Sequence, residues 1–135
     1  MNYIKPKYID FNISRLGLGT WQASGGDSWS GHLDSELKQT YLYALDNGIN
    51  FIDTAPVYGY GHSEQLVGEV VKAFGRTKVF VATKCGLPWK GKKIRNDVSK
   101  QSILKECEES LIRLKSDYID LYQIHWPTFN NVPIE

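Results

Sequence analysis

Four short apolar runs, separated by three stretches of helical periodicity, leave this chain few ways to fold. The runs cover residues 14–21, 50–54, 78–84 and 118–125; the last three are rich in β-branched and aromatic side chains, and the first ends in Leu16-Gly17-Leu18-Gly19-Thr20-Trp21. Between them, Leu37, Tyr41, Ala44 and Leu45 recur at helical spacing, as do Val67, Val70, Val71 and Phe74, and then Ile103, Cys107, Leu111 and Leu114. Strands alternating with helices of this length predict right-handed crossovers and a parallel sheet, either doubly wound or part of a barrel. Asp34 or Ser35 is expected to cap the first helix and Asn47-Gly48 to end it. The second helix should run from about Ser63 to Gly75 and the third over 99–115. At the amino end, residues 7–13 and 14–21 read as short strands about an Asn-containing turn, a β-hairpin. The glycine-rich stretch 24–31 reads as a loop.

The polar residues are placed as tellingly as the apolar ones. Asp53 closes the run Asn50-Phe51-Ile52, Lys84 closes Val79-Phe80-Val81-Ala82-Thr83, and His125 closes the run from Tyr118 to Ile124, with Tyr58 a few residues beyond Asp53. In parallel α/β architectures the loops at the carboxyl ends of strands converge on one face, and chemistry collects there. Three strand-ending groups able to transfer or hold a proton therefore point to one shared site. A Rossmann reading needs Gly-x-Gly-x-x-Gly straight after a strand. Gly17 and Gly19 lie within one and are followed by Thr20-Trp21, so that fingerprint is missing, and Gly59-Tyr60-Gly61 reads as a turn.

Composition narrows the remaining choices. A chain of 135 residues with 41% hydrophobic content can bury the core of a single domain spanning 1–135. A net charge of +1 gives no field to attract nucleic acid or an anionic membrane, and no run reaches membrane-spanning length. The basic run Lys90, Lys92, Lys93 and Arg95 beside Trp89 reads as one glycine-punctuated loop rather than a nucleic-acid face. Cys85 and Cys107 lack metal-ligand spacing and read as buried thiols, so no metal site is expected. Met1-Asn2-Tyr3-Ile4-Lys5-Pro6-Lys7 lacks the apolar core of a secretory signal, which makes a reduced, cytoplasmic protein the expectation. His32 and His62 read as loop residues without a partner.

The segments Asn47-Gly48-Ile49-Asn50-Phe51-Ile52-Asp53-Thr54-Ala55-Pro56-Val57-Tyr58-Gly59, Ala82-Thr83-Lys84 and Asp120-Leu121-Tyr122-Gln123-Ile124-His125-Trp126-Pro127 resemble the aldo-keto reductases. So do Gly19-Thr20-Trp21 and Gly61-His62-Ser63-Glu64. The resemblance spans the chain and is nearest to the bacterial stress-response and sugar-reductase-like branch. It implies a TIM (β/α)8 barrel, NADPH as cofactor, a small-molecule aldehyde or ketone as substrate, and a catalytic tetrad at Asp53, Tyr58, Lys84 and His125. Thr20, Trp21 and Asp53 would touch the cofactor, and Trp21 and Trp126 would wall the substrate pocket.

The chemistry suits such a tetrad. Hydride delivery to a carbonyl carbon leaves alkoxide character on oxygen, so the site needs a proton donor and positive charge there. A free phenol titrates near ~10 and is a weak acid at neutral pH, and a neighbouring ammonium favours the phenolate and eases the transfer. Such a barrel takes about 250 residues, so this chain is expected to supply the amino-terminal half: the hairpin, the first four strands and three helices. That half leaves most of the NADPH site elsewhere and exposes two sheet edges, through which copies could associate. Two functions remain open on this reading: an NADPH-dependent reductase of aldehydes or ketones represented by its catalytic half, or a catalytically incompetent half-barrel acting as a binding or assembly module.

Overall fold

A computed structural model of the chain describes residues 1–25, 29, 31 and 33–127. Its centre is a four-stranded parallel sheet: β3 (Leu18–Gly19), β4 (Phe51–Asp53), β5 (Phe80–Cys85) and β8 (Leu121–Ile124), each hydrogen-bonded to the next in that order. Three helices connect them: α1 (Asp34–Asp46), α2 (His62–Phe74) and α3 (Lys100–Leu114). The register pairs Gly19 with Asp53, Asp53 with Ala82, and Lys84 with Gln123. Strand ends that carry the polar residues are thereby brought level.

Alternation along the strands sorts the two faces of the sheet. Ile52 and Val81 pack into the core with Leu37, Tyr41, Val67 and Val70 of α1 and α2. Phe51 and Phe80 meet edge to face, with ring centroids 5.8 Å apart. Gly17 is required by this packing, since a Cβ there would lie 2.7 Å from the Phe51 ring. A second close approach joins α2 to α3, where a Cβ on Gly68 would lie 2.6 Å from the Leu114 carbonyl.

The expected amino-terminal hairpin is present with different bounds. β1 (Tyr3–Ile4) pairs antiparallel with β2 (Ile13–Ser14), while Leu18–Gly19 belongs to the parallel sheet. Pro6 has no N–H to give, and its carbonyl accepts from Ile9, so most of 7–13 is a connection and not a strand. Asn50 fastens the hairpin below β4, accepting from the Ser14 N–H at 2.7 Å and donating to the Asn12 carbonyl at 2.7 Å. The last strand also starts later than its apolar run suggests. Arg76 donates to the Tyr118 carbonyl and to Asp120, whose carboxylate in turn accepts from the Val81 N–H, and these contacts occupy the segment before Leu121.

Helix ends differ in detail. Leu33 stands at the cap position of α1 and offers no side-chain oxygen, while Asp34 is its first residue and is engaged elsewhere. Acidic residues Asp34 and Glu36 in that first turn complement the helix dipole. Asn47 and Gly48 end the helix as expected, Gly48 at φ +91°. In α3 the deeply buried line is Glu106, Ser110 and Leu114, while the expected apolar stripe through Ile103, Cys107 and Leu111 is only half-buried. The basic loop contains a short antiparallel pair, β6 (Trp89–Lys90) with β7 (Lys93–Ile94). His32, part of the glycine-rich loop and the final 128–135 lie outside the described residues.

Candidate active site

The register of β4 and β5 sets Lys84 beside the end of β4, and the ammonium there spends each of its three protons. It donates to Asp53 Oδ2 at 2.8 Å, to the Thr54 carbonyl at 2.9 Å and to the Tyr58 hydroxyl at 3.4 Å. The Lys84 side chain is 15% exposed and that of Asp53 35%, so the ion pair sits at the rim of the sheet with limited access to water. Thr83, the neighbour on β5, is fully buried, and its hydroxyl donates to Glu64 of α2 at 2.6 Å. Alternation along β5 thus sends one polar residue to the helices and the next to the site.

Tyr58 is held by the turn after β4, where its N–H donates to the Ala55 carbonyl at 3.1 Å. Its ring meets His125 edge to face, centroids 5.7 Å apart at 86°. His125 follows β8 directly, and its N–H donates to the Cys85 carbonyl at 2.9 Å. Burial, then the Lys84 charge, hold its imidazole below the usual histidine range, with Asp53 opposing. His125 Nδ1 is buried and has no hydrogen-bond partner among the described residues. An uncharged ring tolerates that better than an imidazolium would.

Tyr58 and His125 open onto a cleft of about 640 Å³, with Lys84 and Asp53 set behind Tyr58. Tyr58, His125, Trp21 and Trp126 line it, together with Leu87, Lys92 and Ile94 from beyond β5. Trp21 and Trp126 are more than half exposed, and Trp21 meets Trp29 edge to face at 5.7 Å. Asp53, Tyr58, Lys84, His125, Trp21 and Trp126 are therefore drawn to one end of the sheet. Thr20 is drawn beneath it instead. Fully buried, it donates to the Asp53 carbonyl at 3.0 Å and accepts from Ser63 at 2.8 Å, so its hydroxyl reaches the site only through the backbone of Asp53.

Sequence reasoning did not foresee the Thr54 carbonyl as a Lys84 acceptor, nor the buried hydroxyl set of Thr20, Thr54 and Ser63 under the site. Apolar periodicity carries no signal for a backbone acceptor. The histidine expected to lack a partner has one, since His62 opens α2 and pairs with Asp34 at 2.9 Å. Cys85 is buried, and burial pushes its thiol up, as expected of an inert core cysteine. Among the described residues no group of three His, Cys, Asp or Glu side chains could hold a metal ion. No helix there is long and apolar enough to cross a membrane.

An acid, a phenol, an ammonium and an imidazole are thus gathered at the carboxyl-terminal rim of a parallel α/β sheet, the rim where the sites of such folds lie. The aldo/keto reductase family model matches residues 15–135, and the chain belongs to that family. It is 46% identical over 136 residues to aldo-keto reductase YhdN of Bacillus subtilis, a match covering all of this chain and 40% of YhdN. It is 44% identical to an NADH-specific methylglyoxal reductase of Escherichia coli, over 87% of this chain and 39% of that protein. The solved glycerol dehydrogenase AKR11B4 of Gluconobacter oxydans superposes with a TM-score of 0.80 at 45% identity, covering 96% of this chain and 40% of that one. The fold is the amino-terminal half of a TIM (β/α)8 barrel with an amino-terminal hairpin, and the chain spans about 40% of the length of these relatives.

Proposed function

We propose that residues 1–135 form one domain that carries the catalytic half of a nicotinamide-dependent reductase, converting aldehydes or ketones to alcohols, with Asp53, Tyr58, Lys84 and His125 as its tetrad. The observation that carries the reading is the Lys84 ammonium, fixed by Asp53 and the Thr54 carbonyl and presented to the Tyr58 hydroxyl beside a cleft. Tyr58 donates its proton to the carbonyl oxygen as negative charge develops there. Lys84 stabilises the charge left on the phenolic oxygen, and Asp53 keeps Lys84 charged and aimed. His125, held neutral, donates a hydrogen bond to the same carbonyl oxygen, while Trp21 and Trp126 exclude water with their indole faces.

What NADPH supplies when bound is a hydride to the carbonyl carbon. The exposed indole of Trp21 and the partly exposed carboxylate of Asp53 suit its nicotinamide end. Lys92 is the one cation among the described residues that line the cleft, which is too little for a pyrophosphate site. The phosphate-binding part is therefore assigned outside residues 1–135. NADPH is the cofactor the reading adopts. The NADH preference in the name of the Escherichia coli relative makes comparison of the two dinucleotides part of the test. A reducing, cytoplasmic setting belongs to the same reading, and both described cysteines are free.

The test follows aldehyde-dependent oxidation of NADPH and of NADH by the purified chain and by its Tyr58→Phe variant. Turnover lost in Tyr58→Phe with cofactor binding retained supports the tetrad; turnover unchanged by that substitution sinks it. A second reading, a non-catalytic half-barrel that assembles through its edges, draws on the exposed Leu121 and Ile124 of the outer strand β8. Stable oligomers that quench no tryptophan fluorescence on dinucleotide titration would favour it.

A further inference from the structure

Glu106 is a buried carboxylate with no cation. It is 3% exposed, sits in the middle of α3, and enters none of the ion pairs among the described residues. Its oxygens act only as acceptors. Oε1 takes the Gly86 N–H at 3.2 Å and the Ser102 hydroxyl at 3.0 Å, and Oε2 takes the Gly86 N–H at 3.2 Å and the Leu87 N–H at 3.3 Å. An ion buried without a counter-ion costs stability, so a gain elsewhere is expected where one is retained.

The acceptor points to a particular place in the chain. Gly86 and Leu87 follow Lys84 and Cys85 directly, where the backbone leaves β5. Gly86 adopts φ +89°, and a Cβ there would lie 2.9 Å from Val98. The Asp97 N–H donates to the Gly86 carbonyl at 3.1 Å, and the Arg95 N–H to the Pro88 carbonyl at 2.9 Å. Residues 86 and 97 thus form the neck of the excursion that contains β6 and β7. Leu87, Lys92 and Ile94 of that excursion line the cleft, and Leu87 also lines a small gap together with Lys84, His125 and Glu106.

We propose that Glu106 is a positioning residue for the carbonyl substrate: its carboxylate clamps the neck of the β6–β7 excursion to α3 and so fixes the cleft wall formed by Leu87, Lys92 and Ile94. This rests on the reductase reading of the cleft. Glu106 does not touch substrate; it acts through the Gly86 and Leu87 amides.

The test compares the chain with its Glu106→Gln, Glu106→Ala and Ser102→Ala variants, using benzaldehyde as probe. Glu106→Ala should raise KM about 10-fold with kcat held within about 2-fold, the signature of lost positioning in the bound ground state. Glu106→Gln keeps one acceptor oxygen and should rescue most of that loss, with thermal stability equal to or above the parent. A merely structural role predicts lower stability at unchanged KM, and that result overturns the proposal. Should Glu106→Ala not fold, Ser102→Ala removes one donor to the clamp and should raise KM about 2-fold; an unchanged KM there refutes it. A parent chain that turns over no aldehyde would count against the reductase reading. Hydrogen exchange at the Arg95 and Asp97 amides would then decide the clamp: faster exchange in Glu106→Ala, or in Ser102→Ala should Glu106→Ala not fold, supports it, and exchange equal to the parent overturns it.

Discussion

Replacing Lys84 by Met keeps the length of the side chain and deletes its charge. The ammonium stands 3.4 Å from the Tyr58 oxygen, and at 15% exposure it is poorly screened. At an effective dielectric constant of about 20, a full negative charge at that separation interacts with it by roughly 5 kcal/mol. A phenolic oxygen midway through proton transfer carries about half a charge, so roughly 2.4 kcal/mol acts in the transition state. At about 1.4 kcal/mol per tenfold, the chemical step of Lys84→Met should slow by about 60-fold. Rapid mixing with limiting aldehyde and pre-bound NADPH, followed by nicotinamide absorbance, isolates that step from product release. On the proposed reading Lys84 acts through Tyr58, so the same substitution in a Tyr58→Phe background should cost less than about 3-fold. A single variant within about 5-fold of the parent, or a full loss that persists without the phenol, would refute the electrostatic argument.

The pair Glu64–Arg113 offers a stability test independent of the chemistry. Glu64 is fully buried and takes the Arg113 Nε–H at 2.6 Å, so Arg113→Met strands a carboxylate and should cost about 3–5 kcal/mol in urea unfolding. Restoring the balance with Glu64→Leu in the same chain should recover much of that loss. Burial pushes the Glu106 carboxyl up, so between the unfolded and folded values the folded chain holds a proton that the unfolded chain has released. Its contribution is then present below the unfolded value and lost as pH rises through the folded one, and Glu106→Gln should flatten stability against pH above about 4.5. His125 shifts the other way: its folded value lies below about 6.5, so its contribution is kept above that pH and lost on acidification. Its imidazole resonances should titrate below the free-histidine range, and a midpoint at or above it would contradict the burial argument.

The alternation of strands with helices and the place of Asp53, Lys84 and His125 at strand ends were legible because apolar runs and the polar residues that close them are displayed directly in the sequence. Periodicity left the choice between an open sheet and a barrel undecided. Tyr58 needed the family resemblance, since a tyrosine in a loop carries no period. The burial of α3 was misjudged for a physical reason. Apolar periodicity assumes that inward-facing residues are apolar, whereas Glu106 and Ser110 are buried because hydrogen bonds satisfy them. The hairpin bounds failed similarly, because Asn50 fastens β2 with its side chain, a long-range contact that no local pattern announces.

The pairing of Asp53 with Ala82 has a consequence for how this site tolerates change. Sheet register and reaction geometry share one coordinate, because Lys84 reaches both the side chain at the end of β4 and the carbonyl one residue beyond it. Substitutions on the helix face of β5 are ordinary core changes, absorbed or not by packing. A one-residue insertion before Lys84 is different in kind. Placed ahead of Thr83, it would turn Thr83 toward the cleft and the ammonium to the helix face that Cys85 occupies, leaving a sheet that still pairs and a rim without its charge. Added length should therefore be borne far better in the connections between elements, as in the β6–β7 excursion, than inside β5, whose interior spaces the rim like a ruler.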